Sequence, residues 1–389
     1  MRSAIPLASA LFTAAPTLAA YNLIKEYQGS DFFSGWEFYG NYDNLTNGDV
    51  TYLDQANATA SKLAYVNDAG NAIIKVDDTS FVPWNDKRNS IRIETYDYFP
   101  VGTVLLFDAV HLPYGCSVWP SFWTKGPNWP AGGEIDVLEG VNLMTANQMA
   151  LHTSSGCTVD GTDCSSGAGC TVTEKKDSSY GQAFAAAGGG VWATQLDTTG
   201  INIWFWSRND IPDSVKSATN TVDPTSWGTP SASYPSGSSC DISQFFTPQQ
   251  LVLDISLCGD WAGLANVYGQ TCGTQGQVNS TSCYLENVIN NGNYSSAYFE
   301  ISYIKAFSSQ ADTFVATVSG SSTGLVSQTA TGTAATGGST GSPTSGSNSN
   351  GNSTSTGSGS GNGAAETAPR VYLAIATCVL FSFFNWAMI

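Results

Sequence analysis

Short strand-like runs recur from Tyr21 to about Ser308, separated by turn residues, with no helical stripe of about ten residues among them. The runs 72–76, 90–95, 103–110, 201–206, 251–256 and 298–307 are rich in β-branched and aromatic side chains. Such side chains fit a pleated surface and lose freedom in a helix. Abundant Gly and Asn between the runs supply the turns. A chain of 389 residues with this pattern is expected to form one large all-β domain with appendages, either a sandwich or a barrel. The formal net charge of −17 and a pI near 4.2 exclude nucleic acid and anionic lipid surfaces as natural partners, since both attract basic patches.

Only 12% of the residues are charged, yet Glu134-Ile135-Asp136-Val137-Leu138-Glu139 holds three carboxylates. Glycines bracket it (Gly132, Gly133, Gly140), and Trp119, Trp123 and Trp129 precede it. On a strand, Glu134 and Asp136 point to the same face. Glu139 is five positions after Glu134, an odd offset that sends it to the other face. One extra residue near Val137-Leu138, a β-bulge, returns it. A helix does not gather the three, because i and i+5 lie far apart around its axis. Two carboxyls on one face beside aromatic rings suit glycoside hydrolysis, which needs a protonated acid and an ionised nucleophile or base. A third acid between them can raise one neighbour's pKa and hydrogen-bond the other. The alternative is a solvated acidic strand; the flanking glycines, read as room for a ligand, and the tryptophans weigh against it.

The acidic segment resembles the active-site motif of glycoside hydrolase family 16 in its longer, bulged form, typical of laminarinase-type endo-1,3-β-glucanases. Lichenases and fungal cell-wall transglycosylases of that family usually carry a form one residue shorter. Val50-Thr51-Tyr52-Leu53-Asp54-Gln55-Ala56, Asn89-Ser90-Ile91-Arg92-Ile93, Trp119-Pro120-Ser121-Phe122-Trp123, Leu151-His152-Thr153 and Cys258-Gly259-Asp260-Trp261-Ala262-Gly263 also resemble fungal laminarinases. The likeness runs from about Tyr21 to Phe307. It implies a β-jelly-roll sandwich of two antiparallel sheets with a concave substrate cleft. It also implies Glu134 as nucleophile, Glu139 as general acid/base and Asp136 as their helper. The expected partner is a β-glucan polysaccharide and the expected state a monomer. No cofactor is required; some relatives bind a structural calcium on the convex face, but no loop here has a dedicated ligand spacing.

Other residues divide between packing and sugar contact. Trp123, Trp129 and Trp261 are expected to touch the glycan, on the strength of the resemblance, as is His152 near the cleaved bond. Trp204 and Trp206 face one side of a strand and stay open between core and ligand. His111 reads as structural. Arg92 either holds a carboxylate or contacts sugar.

The ends read as export and anchoring signals. Residues 1–20 carry an Arg, an apolar run and a small-residue end, the pattern of a cleaved signal peptide. The catalytic domain is expected over 21–308. Residues 309–363 are dominated by Ser, Thr and Gly and are expected to be a disordered stalk. Residues 364–389 join a polar spacer to an apolar terminus, the order of a GPI-anchor signal that is removed; a true membrane anchor is the rival. Membrane attachment would then run through the lipid. Without Cys378 in that tail, eight cysteines remain, an even set that allows up to four disulfides in an exported chain. No Cys-x-x-Cys pair occurs, and the only histidines are His111 and His152, which makes a zinc site a poor reading. Five glycosylation sequons, at Asn44, Asn57, Asn279, Asn293 and Asn352, fit the same route. Residues 160–190, rich in Gly, Ser and Cys, are expected to form a long disulfide-pinned loop.

Overall fold

A computed structural model describes residues 20–309, apart from 275 and 291–293, and the backbone of 313–319 and 322–328. These fall in a unit ending at Gly332. Residues 1–19 of the expected signal peptide, most of the stalk, the anchor signal, Asn293 and Asn352 lie outside the described residues.

Two nine-stranded antiparallel sheets dominate the described residues, so the expected two-sheet sandwich is present. The strand-like runs of the sequence fall on strands, for example Thr103–His111, Gln249–Leu257 and Tyr298–Ser308, except that 90–95 divides between Arg88–Ser90 and Arg92–Phe99 and 72–76 ends its strand at Lys75. Among the described residues the longest α-helix, Ala265–Thr271, has seven residues. One sheet, the back sheet, centres on Tyr298–Ser308, Thr103–His111 and Gly190–Asp197. The other, the cleft sheet, places Cys170–Thr173, Gln148–His152, Glu134–Glu139, Val118–Lys125, Gln249–Leu257 and Arg92–Phe99 side by side in that order.

The main core fills the space between the sheets. Phe107 of the back sheet stacks on Phe122 of the cleft sheet, with ring centroids 4.3 Å apart, and Trp192 and Phe299 close around them. The outer face of the back sheet is buried as well: Val104, Leu106, Val191 and Ala193 pack with Trp204, Trp206 and Trp227 in a second apolar cluster. This is why residues 104–107 read as an unbroken apolar run without polar alternation. Trp204 and Trp206, left open by sequence, both meet Trp227 edge-on and belong to this packing. His111 stacks on Tyr298 and bonds its carbonyl, a structural role as expected.

Two expectations change. Residues 160–190 are more than a loop: Cys170–Thr173 adds a strand beside Gln148–His152, and Gly181–Ala186 is helical. The Cys164–Cys170 disulfide does pin the segment. Within the expected stalk, Thr313–Ser319 and Ser322–Gln328 pair as a hairpin, attached to Arg92–Phe99 at Ala316 opposite Tyr98. A reading by composition passed over the alternating β-branched residues of 313–319.

All eight cysteines outside the tail form four disulfides: Cys116–Cys272, Cys157–Cys240, Cys164–Cys170 and Cys258–Cys283. Such a set belongs to an oxidising, extracellular compartment.

Candidate active site

The strand Glu134–Glu139 carries the bulge that the odd spacing of its acids requires. Against Gln148–His152 the register runs Asp136 opposite Ala150, then Glu139 opposite Gln148, one residue too many on the acidic strand. Against Val118–Lys125 the same slip lies between Asp136 and Leu138. Val137 and Leu138 are both fully buried in the core, so two successive side chains point inward and Glu139 returns to the face of Glu134. Asn147, itself fully buried, replaces the broken ladder. Its Nδ2 donates to the Val137 carbonyl at 2.9 Å and its Oδ1 accepts from the Glu139 amide at 2.9 Å.

The flanking glycines serve the protein instead of making room for a ligand, which corrects the sequence reading. A Cβ on Gly133 would strike the Phe246 ring at 2.4 Å, and one on Gly140 would meet Tyr180 at 2.7 Å. Close packing behind the strand requires glycine at both places.

A cleft of about 280 Å³ opens over the sheet, and Glu134, Asp136 and Glu139 all line it. Trp119, Trp123 and Trp129 line it too, with Arg92 and Asp254. Trp119 donates its indole N–H to Glu139 Oε1 at 2.8 Å. Exposed Trp129 donates to Glu134 Oε2. Trp123 donates to Asp254 Oδ2 at 3.1 Å, and the Arg92 guanidinium lies over its ring at 5.2 Å. His152 pairs with Glu134 in the ladder and brings Nε2 to 3.4 Å from Asp136 Oδ2, without lining the cleft itself. Trp261 stands edge-on to Trp119 with centroids 5.7 Å apart and is not among the lining residues.

Burial sets the protonation of the acids. It pushes Glu139 up to about 7, helped by the negative charges of Glu134 and Asp254 and opposed by hydrogen bonds from Trp119 and Ser121. Asp136 is raised well above the usual range by burial, then by Glu134 and Glu139. Burial also raises Glu134, while His152 and the Trp129 N–H pull it back. A hydrogen bond between Asp136 and Glu134 favours the proton on Asp136. The three acids therefore differ in proton affinity.

Sequence reasoning missed a fourth buried acid. Asp254 faces Arg92 on one neighbouring strand and Ser121 on the other, and Ser121 in turn faces Glu139. One row across the sheet thus runs Arg92, Asp254, Ser121, Glu139. Arg92 Nη1 binds Asp254 at 3.1 Å and Nη2 binds Glu94 at 2.7 Å, so it holds carboxylates, one of the two roles left open for it. Burial alone would weaken its charge, but Asp254 and Glu94 outweigh that and raise its pKa. Burial lifts Asp254 to about 6 even against Arg92. The available signal was a single acid within an otherwise apolar strand, 251–255. Among the described residues, Glu134, Asp136 and His152 also offer ligand atoms within 4.8 Å of one another; they are the acids of the cleft and its neighbouring histidine.

A jelly-roll-like sandwich with a tryptophan-lined cleft and a bulged strand of three acids defines a glycoside hydrolase. The chain belongs to glycoside hydrolase family 16: the XgeA-like catalytic domain of that family matches residues 36–307. It is 38% identical over 304 residues to a probable glycosidase of Schizosaccharomyces pombe, covering 74% of this chain and 69% of that one. It is 37% identical over 318 residues to a probable endo-1,3(4)-beta-glucanase of Aspergillus fumigatus, covering 77% of this chain and 47% of the relative. The chain thus spans about half the length of that Aspergillus relative. Laminarinase 16A from Phanerochaete chrysosporium, solved with two beta-glucans in donor and acceptor sites, superposes with a TM-score of 0.68 at 32% identity over 74% of this chain and all of that one. An elongating family 16 beta-1,3-glucosyltransferase superposes equally well, at 0.68 and 34% identity, over the same shares.

Proposed function

We propose that the protein is an endo-acting, retaining hydrolase of β-1,3 and mixed β-1,3/1,4 glucans. The observation that carries this reading is the bulge, which turns Glu139 onto the face of Glu134 in a tryptophan-lined cleft. In the first step Glu134 attacks the anomeric carbon while Glu139, protonated up to about pH 7, gives its proton to the departing glycosidic oxygen. In the second, Glu139 takes a proton from water, which attacks the glycosyl-enzyme and frees Glu134. Asp136 donates a hydrogen bond to Glu134 and bonds no sugar. Trp123 and Trp129 offer ring faces to the sugar, and His152 and Trp261 support the site from beside it.

Variants of the two glutamates test the roles. Glu134→Ala forms no glycosyl-enzyme; azide occupies the vacated space and attacks directly, giving the inverted α-glycosyl azide. Glu139→Ala still loads from a substrate with a good leaving group and stalls, and azide releases a β product after two displacements. Asp136→Asn costs less than either. Opposite azide anomers would reverse the two roles, and undiminished activity in both glutamate variants would refute the site.

A second reading, glucan transglycosylation, draws on the likeness to the elongating glucosyltransferase. The longer, bulged motif favours hydrolysis. Products longer than the substrate, dominating when an oligosaccharide acceptor is added, would favour transfer. From the sequence we further propose that the signal peptide is cleaved after residue 19 or 20 on export, that the segment after the hairpin forms a stalk, and that residues 364–389 are exchanged for a GPI lipid. The protein would then act at the cell surface as a monomer.

A further inference from the structure

The cleft does not account for the most exposed aromatic side chains outside it. Phe81 is 81% and Trp84 62% exposed. Exposed singly, such residues need no explanation; Trp84, however, is paired with Tyr284 on a fastened segment that also carries Phe81 three residues before it. The segment carrying them is fastened from below. Fully buried Arg88 donates Nη1 to the carbonyls of Asp77 and Ser80, at 2.9 and 3.2 Å. The Asp77 carboxylate accepts the amides of Thr79 and Ser80. The Tyr284 hydroxyl donates to the Asp86 carbonyl at 2.9 Å, and its ring meets Trp84 edge-on with centroids 5.8 Å apart at 78°. Aromatic faces are thereby presented to solvent on an ordered support.

The platform is tied to the cleft. Tyr284 follows Cys283, whose disulfide partner Cys258 ends the cleft strand Gln249–Leu257 and bridges Gly48. Lys87 Nζ donates to the Gly48 carbonyl and faces Asp49 at 3.8 Å. Leu45 and Thr46 of the same loop line the cleft. The segment carrying Trp84 is therefore fastened to the loop that supplies Leu45 and Thr46 to the cleft.

We propose that Phe81, Trp84 and Tyr284 form a second glucan-contact surface, outside the cleft, that holds a polymer chain while the cleft works on it. An apolar ring face matches the C–H face of a pyranose, and a neutral polymer meets no repulsion from a chain of net charge −17. This inference rests on the β-glucan reading above.

The test uses the full chain with Glu134→Gln, so that bound polymer is not cut, and measures retention on insoluble β-1,3-glucan. Trp84→Ala with Phe81→Ala should lower retention about tenfold, as expected for exposing aromatic area again, and Trp84→Tyr should restore most of it. With Glu134 left intact, the same pair of changes should leave cleavage of a short soluble β-1,3-oligosaccharide unchanged. Cleavage of that oligosaccharide by the parent enzyme tests the glucan reading by itself. Unchanged retention would overturn the proposal. So would loss of both retention and oligosaccharide cleavage, which would make the aromatics part of the cleft, or a change of oligomeric state in the variant, which would make them a contact between copies.

Discussion

Glu139 is under opposed influences that together set its working range. Burial and the charges of Glu134 and Asp254 hold its proton, while the Trp119 N–H favours the ionised form. The proposed acid is competent only while protonated, so kcat/KM should fall as pH rises through about 7. Trp119→Phe removes a donor to the carboxylate and should move this basic limb upward by about one pH unit. Asp254→Asn removes a negative charge and should move it downward. A pH profile of each variant on laminarin checks both signs; shifts in the same direction would refute the electrostatic account. The three acids of 134–139 were legible because they are dense in a chain poor in charge. Asp254 was not, since a lone acid in an apolar strand has no visible partner until the sheet sets Arg92 and Ser121 beside it.

At the scale of the element, the bulge was legible by parity alone, because an odd offset between acids cannot keep one face on a regular strand. What holds it was hidden. Asn147 lies in the turn before Gln148–His152, where an Asn looks like any turn residue, yet it satisfies both the Val137 carbonyl and the Glu139 amide. Asn147→Ala would leave two buried backbone groups unpaired and should cost about 2–4 kcal/mol in urea unfolding. It should also lower kcat, since the backbone carrying Glu139 loses its tether. A variant as stable and active as the parent would show that the bulge holds itself. The 313–328 hairpin shows the converse: composition suggested no structure there, whereas alternation within 313–319 carried a strand.

Across the whole molecule, burial is shared unequally between the two sheets. The back sheet packs on both faces, against the main core and against the Trp204–Trp206–Trp227 cluster, while the cleft sheet commits one face to the core and presents the other to the cleft. The all-β class was readable from short runs between turns. Trp123 and Trp129 were expected at the glycan through the resemblance and do line the cleft; Trp204 and Trp206 stayed open, because a tryptophan on a strand looks the same on either face until the stacking of the sheets is known. The proposed processing belongs at this scale too. The mature chain should lack residues 1–19 and the tail from about residue 364, and a phosphoinositide-specific phospholipase should release it from membranes. Intact-mass measurement that finds Ile389 retained would rule out the lipid exchange.

The bulge also bears on how such a site can change its length over generations. Removing Leu138 alone would leave Glu134, Asp136 and the shifted Glu139 at alternate positions, which a regular strand sends to one face. Losing one codon in frame, ordinarily ruinous inside a strand because it inverts everything downstream, here converts a bulged ladder into a straight one with the acids still together. Motifs of the two lengths are thus neighbours in mutational space, and a lineage can pass between them without an intermediate whose carboxyls face apart.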